Sequence, residues 1–234
     1  MPPEIIAHRG TPRAHRENTL EGFLAALDED ADGIELDVHA TADGVVVVHH
    51  DPVLGRNVEP AALGGRAIRE LSIADLRAAR MPGPRGAARY AVPTLAEVLG
   101  AVGRGATVYV EVKGPGIDDT VRDVVAAGAA RCVIHAFDHR IARRTAQDGR
   151  VPAGILVDSY LLDPVHALRG AAARDYWCAW SFIDAALVEA VHGAGGRVVA
   201  WTVNDGAAAR ALAAMGVDAL CTDVPAALRA MLAA

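Results

Sequence analysis

The chain predicts a single α/β domain, a (β/α)8 barrel of the TIM type, on three observations. Its 234 residues match the usual length of one such barrel. Apolar, β-branched runs alternate with amphipathic helix-like segments along most of the chain, as in units built on a parallel sheet. Six ionisable residues, His8, Glu35, Asp37, His50, Glu111 and Lys113, stand where strand-like runs end. Titratable groups inside apolar β-runs are costly unless paired or bound to a cation. Several strands ending this way imply one shared polar site at the carboxyl end of the barrel.

In chain order, a strand over 5–8 is followed by a helix over 19–28, with Leu20, Phe23, Leu24 and Leu27 on one face and Asn18 as its N-cap. Further strands are expected near 33–38, 45–50, 107–113, 131–136, 153–157, 176–181, 197–202 and 217–222. Helices are expected over 94–102, 117–127, 140–147, 185–194, 207–215 and 225–232. That makes nine candidate strands where a barrel needs eight, so one is short or irregular. The step from Asp37 to Val45 is too short for a crossover helix. Residues 38–42 are read as an extended segment running back down, with Asp43-Gly44 turning the chain upward again. The barrel is therefore expected to be distorted between its second and third strands. Residues 51–93 break the alternation with a loop rich in Gly, Pro and Arg around a short helix at 72–79. They read as a small insertion or lid over the mouth of a single domain spanning 1–234, with too few apolar residues for a core of their own.

Composition narrows the function. An apolar fraction of 52% and a charged fraction of 22% describe an ordered globular chain. A net charge of −6 argues against a nucleic-acid partner. No apolar stretch approaches the roughly 18 residues needed to span a bilayer, and the Met-Pro-Pro-Glu start has no basic region like that of a signal peptide. Cys132, Cys178 and Cys221, odd in number and each in or beside an apolar run, read as reduced packing thiols of a cytoplasmic protein. Zinc is unlikely chemistry for a chain without Cys-x-x-Cys or a nearby Cys/His pair. The glycines form neither G-x-G-x-x-G nor a Walker A pattern, and there is no G-x-S-x-G.

Glu35 and Asp37, two apart on a strand, point the same way, and Glu111 and Lys113 repeat that spacing. Converging carboxylates repel by about 4 kcal/mol per pair at 4 Å and an effective dielectric of 20. A divalent cation removes that penalty, and all-oxygen ligation suits Mg²⁺, Ca²⁺ or Mn²⁺. A salt-bridged ring with Lys113 and Arg9 is the other arrangement the spacing allows. His8 and His50 end strands beside this cluster, where histidine serves as general acid or base. His49 faces the opposite side from His50, so only one of them enters the site. His39, His135, His139, His166 and His192 read as surface or packing residues, and His15 lies in a loop from which it can reach a substrate. Trp201 and Phe137, at strand ends, serve either as a ligand wall or as core.

These residues form a pattern. His8-Arg9-Gly10, Glu17-Asn18-Thr19, Gly33-Ile-Glu-Leu-Asp37 and Val-Val-Val-His49-His50-Asp51 resemble the glycerophosphodiester phosphodiesterase family. So do Glu111-Val-Lys113, Trp201-Thr-Val-Asn204 and the run from Gly216 to Pro225, in order along nearly the whole chain. The resemblance implies a TIM barrel of the phospholipase C-like type. It implies Glu35, Asp37 and Glu111 as ligands of one divalent cation, and His8 and His50 as the catalytic acid/base pair. It implies further that Arg9, Glu17 and Lys113 support the metal site and bind phosphate, and that Phe137 and Trp201 line the substrate. The implied reaction yields glycerol 3-phosphate and an alcohol, by attack of the glycerol 2-hydroxyl through a cyclic phosphate or by direct attack of water. A lysophospholipid-cleaving barrel and a non-catalytic phosphate-ester binder are the alternatives, and the partner implied is a small glycerophosphodiester, with a homodimer as one assembly. The chain departs from the family pattern at Arg16, where Pro is usual, at Leu54-Gly-Arg56-Asn57-Val58, and at Ala136 in place of Ser.

Overall fold

The computed structural model describes residues 2–84, 86 and 88–233. In chain order the elements are β1 (Glu4–His8), α1 (Leu20–Asp28), β2 (Gly33–Ala40), β3 (Val46–Val48), α2 (Ile73–Ala78), β4 (Met81–Pro82), β5 (Arg89–Tyr90), α3 (Leu95–Val102) and β6 (Thr107–Val112). Then come α4 (Asp118–Ala127), β7 (Arg131–Ala136), α5 (His139–Asp148), β8 (Ala153–Val157), α6 (Pro164–Ala171) and β9 (Asp175–Ala179). The chain ends with α7 (Ala185–Gly193), β10 (Arg197–Trp201), α8 (Gly206–Met215), β11 (Ala219–Thr222) and α9 (Pro225–Ala233).

Eight parallel strands, β1, β2 and β6 to β11, close on themselves because β1 pairs with both β11 and β2. Period-two alternation divides each strand between two environments. Ile34, Leu36, Val108, Val110 and Ile134 face outward and meet Phe23 of α1, Leu99 of α3 and Val121 of α4. On the other side of the barrel, Ile155, Tyr176, Val198 and Leu220 meet Leu187, Val191 and Leu212 from α7 and α8. Burying each such side chain stabilises the fold by about 1.5–3 kcal/mol. The inward set is smaller: Ile6, Tyr109, Val133, Leu156, Trp177, Val199 and Cys221 fill the barrel axis. Below them the Tyr109 hydroxyl donates to Glu4 at 2.9 Å and Arg197 donates to the same carboxylate at 2.8 Å. That polar plug satisfies the charges at the amino end and leaves the carboxyl end as the open one.

The surplus ninth strand is β3, and its direction corrects the reading from sequence. β2 continues upward to Ala40, and β3 returns antiparallel to it, pairing Val38 with Val48 and Ala40 with Val46. β2 lies directly beside β6 from Gly33 to Val38, so the expected irregularity takes the form of a hairpin projecting above the rim. Side chains build its turn: the Thr41 hydroxyl donates to Asp43 at 2.6 Å and accepts from the Val45 amide at 2.9 Å.

Residues 51–93 also depart from expectation. Leu54, Val58, Leu63, Ile68, Leu71, Leu76 and Met81 form a small core with Val47 of β3, where too few apolar side chains had been counted. The count missed β3 itself, whose outer face completes that core. α2 starts at a capping box in which Ser72 and Asp75 exchange hydrogen bonds. Two further corrections concern helix starts. Thr19, not Asn18, caps α1 by accepting from the Gly22 amide. Helix α6, absent from the sequence reading, begins at an Asp163 cap with Pro164 in its first turn. No helix is long and apolar enough to cross a membrane among the described residues.

Candidate active site

A cavity of about 150 Å³ opens at the carboxyl end of the barrel. Its charged lining is His8, Arg9, Glu35, His50, Glu111 and Lys113, and its remaining wall is His135, Phe137, Leu156, Trp177, Trp201 and Cys221. Strand register explains the gathering. His8 lies beside Glu35 across β1 and β2, and Asp37 lies beside Glu111 across β2 and β6. One strand further, Glu111 lies beside His135 of β7.

The carboxylates divide into two kinds. Asp37 is fully buried and held by Arg9 Nε at 3.1 Å, Lys113 Nζ at 3.3 Å and the Asn18 amide, which donates at 2.8 Å. Burial pushes its pKa up, but Arg9 and Lys113 outweigh that and hold it below the usual range. Glu35 and Glu111 lie with one ring nitrogen of His135 in a set of ligand atoms all within 4.8 Å of one another. Burial, and then repulsion from Asp37, drives Glu35 well above the ordinary carboxylate value and Glu111 up to about 7. Lys113 contacts Glu111 at 2.7 Å, and its two carboxylate neighbours raise its pKa against the effect of burial.

Arg9 owes its position to its backbone. It adopts a left-handed φ of 56°, and Gly10 follows at 89°. A Cβ on Gly10 would lie 2.7 Å from the Gly22 backbone, so the turn after β1 docks on α1 only with glycine there. The Arg9 amide then donates to the Glu35 carbonyl at 3.0 Å, and its guanidinium donates to Glu17 at 3.2 Å. Glu17 thus touches Arg9 without lining the cavity.

Each strand-end histidine has a carboxylate behind it. His8 Nδ1 lies 2.7 Å from Asp223 Oδ1, which leaves Nε2 toward the cavity and 4.0 Å from Glu35. Asn204 donates to the other Asp223 oxygen at 2.7 Å and accepts from the Asp223 amide at 2.9 Å. His50 Nδ1 lies 2.8 Å from Asp51 Oδ1, and its carbonyl accepts from His39 Nε2 at 3.0 Å. His49 is buried with Nδ1 on the Asp51 carbonyl at 2.9 Å. His15 shares a hydrogen bond with Thr11 and does not line the cavity. Phe137 and Trp201 meet edge to face with centroids 5.7 Å apart.

Sequence reasoning missed six contributors. Asn18 was read as a cap and His39 as packing, and Asp223, Asn204 and Trp177 received no role. His135, read as surface or packing, is buried in the cavity wall, stacked on Trp177 with centroids 4.2 Å apart. Burial pushes its pKa down to about 3, so the ring is neutral at ordinary pH. One signal was available: His135 is two residues before Phe137, at the end of the same apolar run, and alternation puts the two on one side.

Known proteins share this architecture. The chain is 28% identical to a glycerophosphodiester phosphodiesterase of Caldanaerobacter subterraneus over 94% of both chains. It superposes on a glycerophosphodiester phosphodiesterase from Agrobacterium tumefaciens with a TM-score of 0.82 and 25% identity, covering 97% of this chain and 99% of that one. A phosphodiesterase from Oleispira antarctica, solved with the product sn-glycerol-3-phosphate, matches the fold with a TM-score of 0.87 at 23% identity, covering 100% and 98% of the two chains. The barrel and its charged mouth define a phosphoric diester hydrolase. Residues 8–227 match the Glycerophosphoryl diester phosphodiesterase family, and the chain belongs to it.

Proposed function

We propose that this enzyme is a divalent-metal-dependent phosphodiesterase that converts glycerophosphodiesters to glycerol 3-phosphate and an alcohol. The carrying observation is that one cavity presents His8, His50, Arg9 and Lys113 together with Glu35 and Glu111. The donor set fits a cation: Glu35 and Glu111 are close enough to repel, and the buried Asp37 Oδ1 has the Lys113 ammonium at 3.3 Å but accepts no hydrogen bond. Glu35, Asp37 and Glu111 would hold the ion, which when bound supplies Lewis-acid polarisation of a phosphoryl oxygen.

The chain's own groups do the rest. Asp223 and Asp51 fix the rings of His8 and His50 through Nδ1, which leaves each Nε2 to exchange a proton. One histidine takes the proton of the attacking oxygen, and the other protonates the departing alcohol. Water attacks directly, or the glycerol 2-hydroxyl attacks first and water then opens the cyclic phosphate with the two histidines exchanging roles. Arg9 and Lys113 stabilise negative charge on the phosphoryl oxygens, and Glu17 orients Arg9. Phe137 and Trp201 form a wall for the carbon skeleton. The test incubates the protein with glycerophosphocholine, glycerophosphoethanolamine and glycerophosphoglycerol, with and without EDTA, and measures glycerol 3-phosphate by coupled oxidation. EDTA-sensitive turnover is expected, and its absence on every substrate overturns the reading.

A second substrate reading has its own observation. Phe137, Tyr160, Leu162, Trp180 and Phe182 are exposed on the loops after β7, β8 and β9, and Leu162 is fully so. On residues 51–93, by contrast, Met81, Tyr90 and Val92 are buried. The rim on the other side favours a lysophospholipid, whose acyl chain would leave the cavity along it. Choline release from lysophosphatidylcholine tests this, and none at a protein level that cleaves glycerophosphocholine rejects it.

A further inference from the structure

We propose that His135 is a nitrogen ligand of the same cation, so that the site favours first-row transition ions over Mg²⁺ and Ca²⁺. The proposal rests on the metal-dependent reading above and adds a residue that the three carboxylates do not include.

Elsewhere in the molecule the buried His39 and His49 and the half-buried His139 each bond a backbone carbonyl. His39 Nε2 bonds the His50 carbonyl, and His139 Nε2 bonds the Leu156 carbonyl, each at 3.0 Å. His49 bonds the Asp51 carbonyl through Nδ1 at 2.9 Å, while its Nε2 has no partner. His135 is 1% exposed, yet its Nδ1 has no hydrogen-bond partner. A buried nitrogen without a partner loses its hydration with no return, which a bound cation would supply. Its side chain belongs to the cavity wall, and one ring nitrogen falls within 4.8 Å of the nearest ligand oxygens of Glu35 and Glu111.

The backbone builds this arrangement. Glu111 and His135 are register partners on adjacent parallel strands and share the inward side. Trp177 lies against the ring face at an interplanar angle of 14°, which leaves the imidazole edge to face its neighbours. Gly154, in register beside His135, makes room for it: a Cβ there would lie 3.1 Å from both His135 Cβ and the Trp177 ring. A stacked, oriented imidazole beside two carboxylates is a mixed nitrogen and oxygen donor set. Imidazole suits first-row transition ions, while carboxylate, carbonyl and water suit Mg²⁺ and Ca²⁺.

The test uses the full chain stripped of metal and reloaded with Mn²⁺, Co²⁺ or Ca²⁺. Calorimetric titration should give tighter binding of Mn²⁺ and Co²⁺ than of Ca²⁺. His135→Gln should weaken Mn²⁺ and Co²⁺ about tenfold or more and weaken Ca²⁺ much less, so the gap between ions narrows. Pulsed EPR of the wild-type Mn²⁺ form should show nitrogen coupling that shifts on ¹⁵N-histidine labelling and disappears in His135→Gln. The wild-type spectrum needs no substitution, so it stands if the variant folds poorly. Absence of coupling in the wild type, or its survival in His135→Gln, overturns His135 ligation while leaving the metal reading intact. Failure of every ion to bind the wild type overturns both.

Discussion

The two sides of the barrel mouth are built from opposite materials. β1, β2 and β6 contribute His8, Glu35, Asp37 and Glu111, with Arg9 just beyond β1 and Lys113 just beyond β6. β7 to β10 contribute the wall of His135, Phe137, Leu156, Trp177 and Trp201, continued outward by Tyr160, Leu162, Trp180 and Phe182. The charged side concentrates carboxylates that repel one another, offset in part by Arg9 and Lys113. The aromatic side has almost no charge to place and offers surface to carbon. A phosphodiester has the same asymmetry, with an anionic centre and an organic substituent, so under the proposed function phosphate chemistry falls to one side and alcohol selectivity to the other.

If that division holds, the largest effects come from the charged side. His50→Ala and His8→Ala should each lower kcat by about 10²–10⁴, measured by glycerol 3-phosphate release. His49→Ala should lower kcat far less, and equal loss in all three would break the assignment of His50. Lys113→Met should lower kcat/KM by about 10²–10³, and an unchanged value would move phosphate binding elsewhere.

The carboxylates predict a pH dependence of metal binding. Without an ion, Glu111 is raised to about 7 and holds its proton below that pH. A cation needs the ionised form, so affinity should strengthen as pH rises through about 7 and fall by about tenfold from pH 8 to pH 6. Calorimetry in buffers of different ionisation enthalpy would show the released proton. A flat affinity would remove Glu111 from the ligand set.

Smaller effects belong to the aromatic side. The double variant Leu162→Ser with Trp180→Ser should raise KM for a lysophospholipid about fivefold and leave glycerophosphocholine unchanged. Equal changes on both would merge the two sides into one. The seam between them is tied from outside by Asp118 of α4, which accepts from Arg122 at 2.8 Å and from Arg144 of α5 at 2.7 Å. Asp118→Asn should cost about 2 kcal/mol of stability in urea, with no change in kcat. Hydrogen bonds from Arg144, and then Arg122, hold the Asp118 pKa down to about 2. The depressed value means this stabilisation is fully present above about pH 4 and is lost as pH falls through about 2.

Legibility followed the range of the interactions involved. Strands β6, β7 and β8 and helix α3 were readable because alternation and periodicity are local properties. β3 was readable as a strand but not in direction, because antiparallel pairing with β2 depends on the turn built by Thr41 and Asp43. Glu35, Asp37 and Glu111 were visible as charges inside apolar runs, which is a local anomaly. Asp223 and Asn204 were not, since a carboxylate after a strand looks like ordinary loop polarity until His8 arrives from 215 residues away. Asn18 reads as a cap because asparagine before a helix satisfies that local rule, while its amide contacts Asp37 on the neighbouring strand β2.

By itself, the order of residues determined the barrel, its carboxyl-end site and the residue types available there, because burial periodicity and the cost of unpaired charge act along one strand at a time. Only tertiary structure decided which neighbours meet: Asp37 with Arg9 and Lys113, His8 with Asp223, and His135 with Glu111. Those pairings depend on strand register around a closed sheet, where a shift of one residue turns every side chain to the other face.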